Sequence, residues 1–170
     1  MSDTTRASTV KQIDHLGLTV PDLEAGVRFY QDALGGRVLF RLGPFDSREL
    51  SAEGQDWTGE FVGVPDAYYD IAMMGFGDGP MLELFEYVRP VGNTTPPRNN
   101  DVGGHHIAFT VTDLDAAVAA VVAAGGTALT GPIVVPAGSS EAGSWAAMTV
   151  HYILDPWGNQ LELVDYPDDH

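Results

Sequence analysis

A chain of 170 residues that is 44% hydrophobic has enough apolar side chains to fill one domain or two small fused modules. It has no cysteine, which excludes disulfides, thiolate metal sites and a cysteine nucleophile. Its 24 acids against 8 lysines and arginines give a net charge of −16, and no Lys or Arg stands between Asn99 and His170. Nucleic acid, which is held by cations set against phosphates, is therefore excluded as a partner.

In chain order, Met1 to Thr9 is polar and lacks an apolar stretch behind a basic one. Neither a signal peptide nor a membrane span is expected, and a cytoplasmic protein is the natural reading. Residues 13–20 alternate as a strand, with Leu16, Leu18 and Val20 towards a helix layer and His15, Gly17 and Thr19 on the other face. Pro21-Asp22 opens a helix whose Leu23, Val27, Tyr30 and Leu34 form one apolar stripe, and Gly35-Gly36 closes it. A strand follows over 37–42. Residues 43–66, rich in Gly, Pro, Asp, Glu and Ser, predict a long excursion with a short helix near Ser47–Ala52, of the kind that serves as a lid or binding loop. Strands at 68–76 and 81–87 turn at Gly77-Asp78-Gly79-Pro80.

A linker of Pro, Gly and Asn over 89–103 separates a first module, 11–88, from a second, 104–166. The second repeats the plan. Its first strand sets Ile107, Phe109 and Val111 against His106, Ala108 and Thr110, with His105 on the helix side. Its helix carries Leu114, Val118 and Val121 and ends at Gly125-Gly126. Strands at 127–135, 145–154 and 160–164 complete it, the last two joined by Asp155-Pro156-Trp157-Gly158-Asn159.

The halves also match residue by residue. His15 aligns with His106, Thr19-Val20 with Thr110-Val111, and Asp22-Leu23-Glu24-Ala25 with Asp113-Leu114-Asp115-Ala116. Met81-Leu82-Glu83-Leu84 is echoed by Gln160-Leu161-Glu162-Leu163. The stretch between His15 and Glu83 is about a dozen residues longer than that between His106 and Glu162, so the 43–66 excursion has no counterpart of equal length.

Period-two geometry sorts these side chains. Glu83 and Glu162 alternate with leucines and so face away from the packed side of their strands. If the modules set their sheets side by side as a cup, His15, Glu83, His106 and Glu162 all project into it. Gathering two carboxylates without a cation is costly, and a divalent ion removes the difficulty. Two imidazoles and two carboxylates suit Zn²⁺, Ni²⁺, Co²⁺, Mn²⁺ or Fe²⁺ and leave two of six octahedral positions open.

The His-Leu-Gly-Leu strand, the His-Ile-Ala-Phe strand followed by Thr-Asp-Leu-Asp-Ala, and the closing Tyr152-Ile153-Leu154-Asp155-Pro156-Trp157-Gly158-Asn159-Gln160-Leu161-Glu162-Leu163 resemble the vicinal oxygen chelate superfamily. The resemblance runs over residues 11–166. It implies an α+β fold of two tandem βαβββ modules forming a cupped mixed sheet around one divalent metal, usually in a homodimer. It places the ligands on His15, Glu83, His106 and Glu162.

Within that superfamily the ligand set is most similar to glyoxalase I and to epimerases. An extra Glu83 argues against extradiol dioxygenases, and bleomycin-binding members generally lack the ligands. The resemblance implies chelation of vicinal oxygens, removal of the proton beside a carbonyl and its return through an enediolate. Glu83 and Glu162 are candidate bases, with His151 or Tyr87 a candidate for the second face of the substrate.

The shortage of cations favours a small neutral polyhydroxy ketone, such as a sugar-like ketone or a ketocyclitol, and the resemblance to superfamily members that epimerise valiolone-type ketocyclitols implies that narrower class. A coenzyme A or glutathione derivative would need Arg28, Arg37, Arg41, Arg48, Arg89, Arg98 or a partner subunit. An isomerase of the epimerase type is the expectation. A glyoxalase I-like lyase or methylmalonyl-CoA epimerase, an iron-dependent ring-cleaving dioxygenase, and a non-catalytic binding or resistance protein are the alternatives.

Overall fold

A computed structural model describes residues 9–49, 57–140 and 143–167. The first half builds β1 (His15–Thr19), α1 (Leu23–Leu34), β2 (Arg37–Asp46), α2 (Trp57–Val62), β3 (Tyr68–Gly75) and β4 (Met81–Arg89). The second builds β5 (Ile107–Thr110), α3 (Leu114–Ala123), β6 (Thr127–Ala128), β7 (Ile133–Val135), β8 (Gly138–Ser140), β9 (Gly143–Trp145), β10 (Met148–Leu154) and β11 (Gln160–Asp165). The first sheet has the order β1-β4-β3-β2. The second has the order β5-β11-β10-β6, with β7 also on β10 and β8-β9 a separate hairpin. In each half the first strand runs parallel to the last, the crossover that a helix after the first strand makes possible.

The repeated Asp-Leu-acid-Ala now has a physical meaning. Asp22 and Asp113 are N-caps that accept hydrogen bonds from the Ala25 and Ala116 amides at 2.8 and 2.9 Å, each worth about 1 kcal/mol. The acids that follow sit in the first helical turn, where the helix dipole favours them. Glu86 of β4 accepts a further bond from the Leu23 amide at 2.9 Å, tying the start of α1 to its own sheet. Gly35, at φ 67°, supplies the left-handed residue that stops α1.

One core joins the halves. Leu18, Val27, Tyr30, Met74 and Leu84 from the first pack with Ile107, Val121, Ile153, Leu161 and Leu163 from the second. Helices α1 and α3 lie against each other in it, and Phe76–Phe109 and Phe29–Trp157 make edge-to-face contacts across the seam. The Tyr30 hydroxyl donates to buried Asp155 at 3.2 Å. Asp155 also accepts from the amides of Trp157 and Asn159 and from Asn159 Nδ2, so one carboxylate organises the β10–β11 turn and ties it to α1.

Several local expectations are corrected. Ser47–Glu49 form a turn instead of opening a helix, while residues 50–52 of the expected segment lie outside the described residues; the helix of the excursion is α2, at 57–62. The strand expected over 127–135 breaks into β6 and β7 around Gly131-Pro132, where proline removes a ladder donor. The strand expected from Trp145 begins at Met148, because Trp145 belongs to the β8-β9 hairpin and donates its indole N–H to the Pro136 carbonyl at 3.0 Å. Leu16 stays 40% exposed instead of packing under the helix layer, and His105 precedes β5 and is solvent-exposed.

Candidate metal-binding half-sites

The register of the sheets brings the predicted residues together in two pairs. In the first sheet Gly17 lies beside Glu83 and His15 beside Met81, so His15 and Glu83 share a face. Their Nε2 and Oε2 atoms are 3.3 Å apart. In the second sheet Ala108 lies beside Glu162, and His106, two residues earlier, joins that face; its Nε2 is 3.1 Å from Glu162 Oε2. Leu82, Leu84, Leu161 and Leu163, between and beside the glutamates, enter the shared core, so both carboxylates point away from it.

These separations fit a metal. Donors about 2.1 Å from an ion sit about 3.0 Å apart when they subtend a right angle and about 3.4 Å apart at the tetrahedral angle. Each pair is therefore spaced as two adjacent ligands. His15 has an outer partner as well, since its Nδ1 lies 2.8 Å from Asp14 Oδ2, the arrangement that fixes a ligating imidazole's tautomer and orientation. In the second half the outer partner belongs to the carboxylate. The Tyr152 hydroxyl bonds Glu162 while its ring meets His106 edge-on at 5.5 Å. Burial, the Glu162 charge and that bond together raise the Tyr152 pKa, in that order of size.

The four residues do not meet within one chain. Among the described residues, no group of three or more His, Asp or Glu is placed to hold a metal. Each pair is a half-site with an open imidazole, 41% exposed for His15 and 39% for His106, beside a mostly covered carboxylate, 16% for Glu83 and 14% for Glu162.

His151 departs from its expected role. The β10–β11 register sets it opposite Leu163, while Tyr152 stands opposite Glu162. Its ring therefore sits on the packed face, with Nε2 buried and lacking a hydrogen-bond partner, and it does not reach a guest on the Glu162 side. Tyr87 does share the Glu83 face. It belongs to an aromatic group, stacked on Phe85 at 5.6 Å and tilted against Tyr69 at 5.3 Å, with Phe45 beyond. Burial, Tyr69 and the Glu83 charge raise the Tyr87 pKa, in that order of size. Val62 and Val64, at the end of the 43–66 excursion, pack on this group, so the excursion covers the sheet face that carries Glu83.

Reasoning from sequence missed Asp14 and Tyr152. Asp14 is a carboxylate next in chain to a proposed ligand, and Tyr152 follows from the turn at 155–159, which pairs 152 with 162 in a regular hairpin.

The fold agrees with the comparisons to known proteins. The model of the Glyoxalase/Bleomycin resistance protein/Dioxygenase superfamily matches residues 12–163, and the chain belongs to that family, the vicinal oxygen chelate superfamily. It is 34% identical over 157 residues to the 2-epi-5-epi-valiolone epimerase of an Actinomyces species, covering 91% of this chain and 79% of that protein. It is 29% identical over 154 residues to the lactoylglutathione lyase of Haemophilus influenzae, covering 91% of this chain and 92% of the lyase. Among solved structures, the glyoxalase family protein APC24694 from Bacillus cereus superposes with a TM-score of 0.70 at 22% identity, over 94% of this chain and 97% of that one, a likeness of fold. Among the described residues no helix is long and apolar enough to cross a membrane.

Proposed function

We propose that this chain is a metal-dependent epimerase, which removes and returns the proton beside the carbonyl of a small neutral polyhydroxy ketone, sugar-like or a ketocyclitol. The observation that carries the proposal is the presence of two His–Glu pairs at repeated positions, each with the donor spacing of adjacent metal ligands. His15, Glu83, His106 and Glu162 are the residues that would hold one divalent ion. When bound, such an ion would polarise the substrate carbonyl as a Lewis acid and so acidify the neighbouring C–H.

The rest of the work falls to the side chains. Glu83 and Glu162 are the carboxylates on the ligand faces, and a glutamate in that position accepts the carbon-bound proton at Oε and returns it. The Tyr152 hydroxyl restrains Glu162, while Phe85, Tyr87 and Tyr69 wall the Glu83 side against water.

A neutral substrate is favoured by the pairing of cations. Arg41 is bound to Glu24, Arg89 to Asp46 and Arg98 to Asp101, so each of these three guanidiniums already faces a carboxylate. The similarity to a valiolone epimerase supports the same class. A lyase acting on a glutathione adduct is the second reading, supported by the similarity to a lactoylglutathione lyase, and it would need a basic anchor that these three arginines do not offer.

The test has two parts, metal analysis of the purified protein and a solvent-deuterium exchange screen over ketocyclitols and ketoses. Exchange beside the carbonyl that disappears on chelation and returns with Ni²⁺, Co²⁺, Zn²⁺, Mn²⁺ or Fe²⁺ is expected. A metal-loaded protein that exchanges no such proton while turning over a glutathione hemithioacetal would sink the epimerase reading.

A further inference from the structure

We infer that Phe85 determines which substrates the site accepts: its ring is a platform beside the His15–Glu83 pair for the C–H face of a cyclic polyol, and it favours ring-shaped ketones over open-chain ones. The inference rests on the epimerase reading above and narrows its substrate class.

The register places the ring next to the proposed ligands. Gly17 lies beside Glu83 and Thr19 beside Phe85 on two parallel strands, so Phe85 follows the glutamate on the same face of the sheet. A side-chain carbon on Gly17 would meet Phe85 Cε2 at 3.5 Å and, among the described residues, no other atom beyond its chain neighbours within 4 Å. The ring therefore leans over β1 towards the Gly17–Glu83 pair. Gly17 is exposed, and its missing side chain leaves room above β1 between His15 and Thr19.

One face of the ring is already taken. Tyr87 stacks on it with 5.6 Å between centroids and 11° between planes. Tyr87 follows Phe85 on β4 and Glu83 precedes it, so the remaining face is the one turned back along the strand towards Glu83. Tyr69, tilted at 45° and 5.9 Å away, and Ile71, directly across on β3, support the ring. Both are buried, which makes the platform a fixed part of the fold.

The second half fills the same slot differently. The pairing Gly17–Glu83 is repeated as Ala108–Glu162, and Thr19–Phe85 as Thr110–Val164. The glutamate recurs while the aromatic ring and the bare glycine do not. A guest therefore meets an aromatic face at this position on the Glu83 side and an aliphatic one on the Glu162 side.

The chemistry of the guest follows. A cyclic polyol carries hydroxyls round its rim and a patch of C–H bonds on its face. The face of an aromatic ring is negative, so it attracts those polarised C–H bonds and covers them without asking for a hydrogen-bond partner. An open-chain ketose must first freeze its rotatable bonds to present a comparable patch.

The experiment compares Phe85→Leu, which stays apolar but loses the aromatic face, with Phe85→Tyr, which keeps it. Solvent-deuterium exchange is measured on a polyhydroxycyclohexanone and on erythrulose, which has too few carbons to close a ring. Phe85→Leu should lower the ratio of kcat/KM values, cyclic over open-chain, by about 3- to 10-fold, mostly through KM for the cyclic ketone. Phe85→Tyr should keep the wild-type ratio, and zinc content should be equal in all three proteins. An unchanged ratio in Phe85→Leu, or a Phe85→Tyr protein as altered as Phe85→Leu, would overturn the inference.

A second measurement needs neither turnover nor a variant. myo-Inositol, a cyclic polyol without a carbonyl, is titrated into the zinc-loaded wild-type protein and its proton resonances are followed. Upfield displacement of its C–H resonances by the ring current is expected, and its absence would overturn the inference even if Phe85→Leu fails to fold. A wild-type protein that displaces the inositol resonances yet exchanges neither ketone would overturn the epimerase reading while leaving the platform standing.

Discussion

Removing the Tyr30 hydroxyl tests the link between the halves. The ring is fully buried and its oxygen lies 3.2 Å from Asp155 Oδ2. A hydrogen bond to a buried carboxylate contributes roughly 1.5–3 kcal/mol, and this one is longer than the usual O–H···O distance, so Tyr30→Phe should cost about 1–1.5 kcal/mol. Asp155 would keep its bonds from Trp157 N, Asn159 N and Asn159 Nδ2, so no carboxylate is stranded. Asp155→Ala instead leaves four donors without an acceptor at a position 2% exposed, and should cost about 4 kcal/mol or more.

Thermal and urea unfolding followed by circular dichroism, at one protein concentration and with metal fixed, would measure both. Tyr30→Phe should lower Tm by about 3–5 °C in a chain of this size. The pH dependence has a definite sign. Burial, chiefly, and then the Asp155 charge and hydrogen bond raise the Tyr30 pKa well above its ordinary value. Between the unfolded and folded values the unfolded chain binds fewer protons, so the contribution is complete below about pH 10 and falls as pH rises further. Tyr30→Phe should remove that part of the alkaline loss. A Tyr30→Phe protein as stable as wild type at pH 8, or one destabilised as much as Asp155→Ala, would refute the account of Asp155 as a hub with three other donors.

Other consequences are open to measurement. Tyr152→Phe should weaken metal affinity by about 10- to 100-fold by titration calorimetry, as loss of an outer partner does, with no change in the circular dichroism spectrum. Asp14→Asn should act in the same direction through His15, and a combined loss much smaller than the sum of the two would show that the half-sites do not share an ion. His151→Leu should leave metal content and deuterium exchange within about twofold and hold or raise stability, since it removes a buried nitrogen that has no partner. Arg41→Glu should leave turnover of a neutral polyol within about twofold; loss of turnover would show that Arg41 leaves its pair with Glu24 to act on the substrate.

What the sequence reveals follows from how local the cause is. The helix starts at Asp22 and Asp113, the stop at Gly35 and the two glutamates between leucines are all legible, because capping, left-handed φ and strand alternation act within a few residues. The pairing of His15 with Glu83 and of His106 with Glu162 is legible too, through the repeat. The separation of the pairs is not, since it depends on how the two halves seat their helices, a matter of side chains distant in sequence. His151 misled because a histidine in a closing strand carries no mark of which face it takes; the register set by the 155–159 turn supplies that mark. The position of α2 escaped because nothing local ranks one short helix above another in a long excursion.

The segment before β5 has a practical consequence for anyone wishing to take the molecule apart. A side-chain carbon on Gly104 would lie 2.0 Å from the Arg98 carbonyl oxygen, and the Gly104 amide donates to the Asp101 carbonyl at 2.8 Å, so the chain from 98 to 104 is folded tightly upon itself just before His106. Pro96 also lies close to Gly158. Upstream, Val91 to Asn93 are exposed, and Gly92 has open space around it. A scission or a flexible insert belongs at Gly92, where it would leave the approach to the second histidine intact; the same insert at Gly104 would displace that histidine from its place just before β5.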